Sequence, residues 1–366
     1  MKEISADIEK IIRSQKVLIE LGRHLTQIQD ISQLLREIAR RTSDIMEAER
    51  SSVFLYDKEK DELWSVVAEG ERQIRFPADS GIGGYVLRTG EIVNEDDVYN
   101  NPLFNREIDR KTGYRTKSML CVPLYDHNHD VIGVYQVLNK KGGVFESEDV
   151  RLLMAVAGQV SVILQNVILM ENRKRMFESL IDALAESIDM RDKLTSGHSR
   201  RVMHYSVKIA KKLGLSTNEI RIIKYASYLH DYGKIVLKDS LLLKPGPLSD
   251  DEYVQIKKHV DFTRKILERI EFEEDLVDVP RIACLHHERL DGSGYPMGLR
   301  GDDIPLGARI IAVGDVFDAL TNKRHYRRRW SVKRAFGYLK KEAGKKFDSD
   351  VVEALGEVLK EDGVLE

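Results

Sequence analysis

Two cysteines in 366 residues, Cys121 and Cys284, exclude a disulfide scaffold and a metal site built from cysteine alone, and suit a reducing compartment. Net charge is nearly absent too. The 58 Lys and Arg against 60 Asp and Glu leave −2, which argues against a general nucleic-acid coat protein but leaves room for a local basic patch. The opening MKEISADIEK has no apolar core, so no secretory signal is expected. Internal repeats, low-complexity tracts and Gly/Ser- or Pro-rich linkers are also missing. What is present, 42% apolar and 32% charged residues, can bury real cores, and the length fits two domains in a cytoplasmic protein.

Long uncharged runs are scarce, with one exception. Leu152 to Met170 holds nineteen residues without a charge, close to the span of a bilayer. Gly158, Gln159, Ser161, Gln165 and Asn166 interrupt it, and Gln159 and Asn166 fall on one helical face. The run therefore reads as a helix packed on a sheet or on a partner helix rather than as a membrane span.

The first half alternates in character. The segments 51–57, 62–70, 119–126 and 131–139 are strand-like, rich in β-branched and aromatic residues. Between them SGIGG (80–84) and RTGE (88–91) read as turns, and DHNHD (126–130) as a hairpin loop. Helical patterns flank the region at about 4–47 and 147–190, so an α/β domain with flanking helices is expected. From about 176 onward helical periodicity takes over. The helix beginning near Glu148 runs on through ENRKRMFESLIDALAESI, a stiff connection suited to transmitting movement or packing a dimer. Ile4, Ile8, Ile11 and Leu18 give a weak coiled-coil pattern that fits an ordinary amphipathic helix equally well.

The chemistry lies in the second half. Seven of the ten histidines follow residue 197. His230-Asp231 ends the apolar stretch IRIIKYASYL, His286-His287 follows RIACL, and Asp315 sits inside ARIIAVGDVFDAL. An ionised aspartate on an apolar helix is costly unless it is paired or bound to a cation. One such residue is more often a satisfied core polar group, but several together shift the balance. The steps are 32 residues from His198 to His230, 29 to His259, 27 to His286, and 28 from His287 to Asp315. Steps near thirty match a helix, a loop and the start of the next helix, so these ligands can return to one level of a bundle. Mixed His and carboxylate donors suit Fe, Mn, Ni or Zn. Their number exceeds one tetrahedral ion, and with Asp231 able to bridge, a dinuclear site is expected. Paired ions of this kind serve phosphodiester hydrolysis. Lys234, four residues after His230, and the segment 323–334, with seven Lys or Arg in twelve residues, are candidate phosphate holders, although a solvated basic face is an even alternative for that segment.

His230-Asp231-Tyr-Gly-Lys234 resembles the HD-x-G-K signature, and HHERLDGSGYP (286–296) the HH…GYP signature, of HD-GYP domains. TSGHSRRV (195–202), LKPGPLS (243–249), 304–321 and KKFDSDVV (345–352) match the rest of that pattern over about 180 residues. The resemblance implies an all-α, metal-dependent bacterial phosphodiesterase that opens cyclic di-GMP to pGpG, with a second cut to GMP left open. By the same resemblance one metal takes His198, His230, Asp231 and Asp315, and a second shares Asp231 and takes His259, His286 and His287. Asp231 and Lys234 carry the catalysis, with Lys234 on the scissile phosphate. Arg324 and Arg327 hold phosphates, and Gly294, Tyr295 and Pro296 shape the lip of the site and a surface for partner proteins. Two divalent ions are expected, iron first and manganese or another transition metal next. The family's three-metal members carry a Glu where this chain has Leu194, so a third is not expected. His204 and His325 are left outside the site.

Residues 25–170 resemble a GAF domain, carried by SSVFLYD, 80–98, TKSMLCVPLYD and 131–149. Asn139-Lys140…Phe145…Asp149 is similar to a motif of cyclic-nucleotide-binding members, with Val150 in place of its final Glu, and these residues mostly brace the fold. Haem is not expected, because His24, His127 and His129 fall in a helix and a loop. The division expected is an N-terminal helix (1–24), a GAF regulatory domain with antiparallel sheet (25–170) whose last helix (148–190) continues as linker, and an HD-GYP catalytic domain (176–366). A homodimer through that helix, an unknown GAF ligand or none, no membrane and no nucleic-acid polymer complete the expectation. Two other readings stand beside it. One is a cyclic di-GMP receptor or scaffold without hydrolysis, against which the complete ligand set argues. The other is an HD-type hydrolase of another nucleotide.

Overall fold

The computed structural model describes residues 31–68, 74–191, 197–244, 246–322 and 329–365. The N-terminal helix expected before residue 31, with His24, lies outside them. The chain divides into two compact units at Arg173/Lys174.

The first unit opens with α1 (Ile31–Ile45), followed by β1 (Ala48–Asp57), β2 (Glu62–Ala68) and β3 (Arg75–Pro77). Then come α2 (Gly81–Thr89), β4 (Val93–Glu95), α3 (Arg106–Thr112), β5 (Met119–Tyr125) and β6 (Val131–Lys140). The strands form one antiparallel sheet in the order β3-β2-β1-β6-β5-β4. Successive side chains of a strand point to opposite faces. Val53, Leu55, Leu120, Val122 and Leu124 meet Leu35 and Ile38 of α1 on one face. Phe54, Met119 and Cys121 meet Ile82 and Val86 of α2 on the other. With both faces covered, the central strands read as apolar runs rather than as clean alternation.

Helix α4 (Ser147–Arg191) follows. It is the described helix long and apolar enough to cross a membrane by length and composition. Yet Leu153, Val156, Ala157, Val160, Ile163 and Leu164 are buried in the core beside α1, at the spacing of one helical stripe, so the uncharged run covers a sheet face.

The 80–84 segment departs from the expected turn. Ser80 is the N-cap of α2, and of the 88–91 segment Arg88 and Thr89 end that helix while Gly90, at φ 72°, closes it. Glycines that read as a loop instead allow close packing. A Cβ on Gly84 would lie 2.8 Å from the Ala78 carbonyl oxygen. The three-residue edge strands β3 and β4 are too short to show a period and were not expected. The 126–130 hairpin turn is present, with His129 at φ 64°.

Asn139 braces the sheet end. Its Oδ1 accepts from the Lys117 and Ser118 amides at 2.6 and 3.3 Å, and its Nδ2 donates to Glu49, Tyr114 and the Arg115 carbonyl, each at 2.9 Å. Lys140 Nζ pairs with both Asp149 oxygens at 2.9 and 3.0 Å.

The second unit is helical. It contains the end of α4, then α5 (His198–Lys212), α6 (Thr217–Leu229), α7 (Asp239–Leu242), α8 (Asp250–Lys257) and α9 (His259–Leu267). α10 (Val279–Cys284), α11 (Leu306–Thr321), α12 (Val332–Glu342) and α13 (Ser349–Glu361) complete it. Val202 and Ile209 of α5, Ile223 and Ala226 of α6, and Ile310 and Phe317 of α11 form the centre of its core.

Asn139→Ala should destabilise the first unit by about 1–3 kcal/mol, because buried amides lose their acceptor. The check is urea unfolding of the full chain followed at Trp64. An unshifted transition would show that the network contributes little.

Candidate metal centre

Each helix step delivers a donor to one place. His198 opens α5, His230 and Asp231 follow the last residue of α6, His259 opens α9, His286 and His287 follow α10, and Asp315 sits midway along α11. The sequence steps near thirty are thus helix-plus-loop lengths. Lys234 rides on a 3₁₀ turn, Tyr232–Val236, directly after Asp231. That turn lies against α9, where Gly233 N donates to Thr263 Oγ1 at 2.8 Å. A Cβ on Gly233 would collide with the His259 carbonyl and the Thr263 amide, so no other residue fits there.

Asp231 is the centre of the arrangement. Its Oδ2 lies 3.6 Å from His198 Nε2 and 3.4 Å from His230 Nε2. Its Oδ1 lies 3.2 Å from His259 Nε2 and 4.0 Å from His286 Nε2. Asp315 Oδ1 joins the first set, 3.4 Å from His198 Nε2. The donors fall into two groups that could each hold an ion: His198, His230 and Asp315, and Asp231, His259, His286 and His287. All seven predicted metal ligands are therefore brought together.

Their outer nitrogens are fixed from behind. Nδ1 of His230, His259 and His286 donates to the carbonyls of Ser227, Ile256 and Ala283, at 2.7, 2.8 and 2.7 Å. His198 differs: its Nδ1 meets Asp318 Oδ2 at 2.7 Å. Asp318 is in turn held by Arg201 Nε at 2.6 Å and by Asn322 Nδ2 at 2.8 Å. These anchors aim each Nε2 inward. Nε2 of all four histidines, together with Asp231 Oδ1, is buried without a hydrogen-bond partner. Buried polar atoms are rarely left so, and convergent orphaned donors fit a cation. The protonation pattern agrees at two of the histidines. Burial holds the His230 pKa below its usual value and that of His286 well below, which keeps both as neutral ligands. Burial also opposes charge on Asp231, but its neighbours, the Lys234 ammonium first, outweigh it and keep this carboxyl ionised. At His198 burial is likewise outweighed, by Asp231, Asp315 and Asp318, and its pKa stands well above the ordinary value.

A cavity of about 500 Å³ opens onto this centre, within the range of small-molecule sites. Among the described residues, Lys234, Lys244, Lys257, Arg289 and Lys346 line it against a single carboxylate, Asp315. Lys234 Nζ pairs with Asp231 Oδ2. Gly294 and Tyr295 face this cavity, whereas Pro296 lines a separate one with Met297 and Cys284. The Tyr295 ring lies on His287, centroids 4.6 Å apart at 31°, and Lys257 Nζ stands 5.0 Å from the ring centre. Arg324, Arg327 and Leu194 lie outside the described residues, as does His325. His204 is at the surface, 3.8 Å from Asp362.

Three residues escaped sequence reasoning. Asp318 lies three positions after Asp315, hence on the same face of α11, and that spacing inside an apolar run was the available signal. Arg201 and Glu288 gave none. Glu288 is 3% exposed and accepts from the amides of Met297, Gly298 and Leu299 at 2.7, 3.1 and 3.0 Å.

Comparison with known proteins agrees with this geometry. Residues 30–164 match the GAF domain family and residues 182–351 the HD domain family. The chain therefore joins an N-terminal GAF domain, built on an antiparallel sheet, through the long helix α4 to a helical HD domain. An HD domain implies divalent-metal binding, and the donor set fits it. More particularly, 186 residues are 44% identical to the cyclic di-GMP phosphodiesterase response regulator RpfG of Xanthomonas campestris, covering 50% of this chain and 48% of that protein. Over 216 residues the chain is 38% identical to the 3'3'-cGAMP-specific phosphodiesterase 2 of Vibrio cholerae, covering 58% and 41%. Over 190 residues it is 37% identical to a cyclic di-GMP phosphodiesterase of Thermotoga maritima, covering 50% and 51%. The chain spans about half the length of these relatives.

Glu288→Gln should turn an amide NH₂ toward three backbone donors and cost about 1–3 kcal/mol. Limited proteolysis should then cut near residues 297–299 more readily. Unchanged cleavage would show that the loop is held by other contacts.

Proposed function

We propose that this chain is a metal-dependent phosphodiesterase that hydrolyses cyclic di-GMP to pGpG and onward to GMP, under the control of its GAF domain. The observation that carries the reading is Asp231, whose two oxygens face different histidine pairs, the arrangement of a carboxylate shared by two ions. His198, His230 and Asp315 would complete one site, and His259, His286 and His287 the other. Two such ions, iron first and manganese next, would supply Lewis acidity and an activated water. Leu194 offers no ligand for a third.

The remaining work falls to the chain's own groups. The Lys234 ammonium, beside Asp231, meets a phosphate oxygen entering from the cavity and offsets charge that grows there. Lys257, Arg289 and Lys346 hold the second phosphate and the base edges, together with Arg324 and Arg327. Tyr295 and its backing His287 give a flat wall against which a base can stack. Gly294 shapes the rim, and the Pro296 side, which lines a separate cavity, gives a surface for partner proteins.

Exposed Val162, Leu169 and Met176 recur every seven residues along α4, the seam spacing of paired helices, which supports a homodimer through that helix. A second reading, hydrolysis of 3'3'-cGAMP, is favoured by the Vibrio relative at 38% identity.

The test is chromatography of products after anaerobic incubation of iron- or manganese-loaded protein with cyclic di-GMP, 3'3'-cGAMP and deoxy-GTP in parallel. Formation of pGpG from cyclic di-GMP, abolished by a chelator, is the expected result. Tight binding without product would establish a receptor instead, and faster turnover of another nucleotide would reassign the substrate. Asp231→Ala should lose both metal and activity, by more than the roughly 100-fold that removing an outer hydrogen bond costs a metal site. Full activity in that variant would overturn the assignment.

A further inference from the structure

Helix α4 ends at Arg191, and its guanidinium is committed to the turn that carries Lys234. Nη1 donates to the Lys234 carbonyl at 3.1 Å and to the Ile235 carbonyl. Nη2 donates to the Leu237 carbonyl at 2.6 Å and to Asp239 Oδ1 at 2.7 Å, and Nε reaches the same Asp239 oxygen at 3.0 Å. One side chain thus joins four acceptors spread over residues 234–239.

The turn has few other restraints on that side. Ile235 and Val236 are 42% and 52% exposed, so apolar burial does not hold them. The Lys234 carbonyl already accepts from Leu237 N at 3.1 Å, and Arg191 adds a side-chain donor there and supplies donors to the carbonyls of Ile235 and Leu237 beside it. On the opposite side Gly233 N is fixed by Thr263. Lys234 therefore sits between a backbone anchor on α9 and a guanidinium anchor on α4.

Two residues before Arg191, Asp189 makes a second connection. It is 5% exposed, and its oxygens accept from Ser199 N at 3.2 Å and Ser199 Oγ at 3.1 Å. Ser199 follows His198, the first metal donor. The last turn of α4 is thus bonded both to the turn of Lys234 and to the first turn of α5.

We propose that Arg191 is a positioning residue for the reaction: by gathering the carbonyls of residues 234, 235 and 237 it sets where the Lys234 ammonium stands, so the end of α4 governs phosphate placement. The inference rests on Lys234 meeting phosphate, as proposed above. Arg191 touches no ligand and acts through the backbone of the turn. Charge-assisted, multiply bonded Arg contacts of this kind are directional, and Lys cannot reproduce them.

The test is a double-mutant cycle in the full, metal-loaded chain, using cyclic di-GMP turnover. Arg191→Ala should lower kcat by at least tenfold with the metal-to-protein ratio unchanged, and Arg191→Lys should not restore it. In the Lys234→Ala background the same Arg191 substitution should cost less than twofold, because its route to the phosphate is already gone. An equal loss in both backgrounds, or none in the wild-type background, would overturn the proposal.

A second measurement does not depend on turnover. Hydrogen exchange at the amides of Lys234 and Leu237 should quicken about tenfold in Arg191→Ala, while the amides of α5, tied through Asp189, stay protected. Unchanged exchange at residues 234–237 would contradict the positioning role. Wild-type protein without turnover but with this exchange pattern in the variant would place the failure in the substrate assignment instead.

Discussion

The second unit is organised around one costly group, the buried carboxylate of Asp231. An ionised carboxylate removed from water is tolerated only when opposite charge or strong donors surround it. Here its neighbours are Lys234 and the Nε2 atoms of four histidines, from four segments of the chain. None of α5, α6, α9 and α10 could shift by a turn without parting one of those contacts. Ligand geometry and helix packing are thus a single constraint, and the orphaned nitrogens show that protein contacts alone do not satisfy it.

The outer hydrogen bonds divide the centre into two unlike halves. His259 and His286 lean on backbone carbonyls, as does His230. His198 leans on a carboxylate that is itself clamped by Arg201. A carboxylate behind an imidazole makes it a stronger donor. The two groups of donors therefore offer different basicity to whatever occupies them, although they share Asp231. The same logic extends outward, since the residues that place Lys234 and His198 sit on the helix whose earlier turns are buried in the GAF core.

Much of this was legible in the residues themselves. His230-Asp231 at the end of an apolar helix, and Asp315 within another, announce charge where charge is expensive. The repeating interval near thirty predicts convergence, because helix-plus-loop lengths return the chain to one level. The apolar runs at 51–57, 119–126 and 131–139 gave the central strands, since both their faces are covered. The strands at 75–77 and 93–95 were not legible: three residues cannot display a period. The glycines of 80–84 misled, because close packing and turning use the same residue. Asp318 had a signal, its spacing from Asp315 inside an apolar run, but its partners, like those of Arg201 and Arg191, could not be read locally. Those partners lie 120, 117 and 43 to 48 residues away, and nothing local distinguishes Arg201 or Arg191 from a solvated surface charge.

The account turns on a shared carboxylate, so the most direct measurement is of the ions it shares. Anaerobic reconstitution with Mn(II), followed by elemental analysis and electron paramagnetic resonance, reports both their number and their coupling. Two ions per chain with the magnetic coupling of a bridged pair is the expected result. One ion per chain, or two without coupling, would contradict a bridging Asp231, and three would contradict the reading of Leu194.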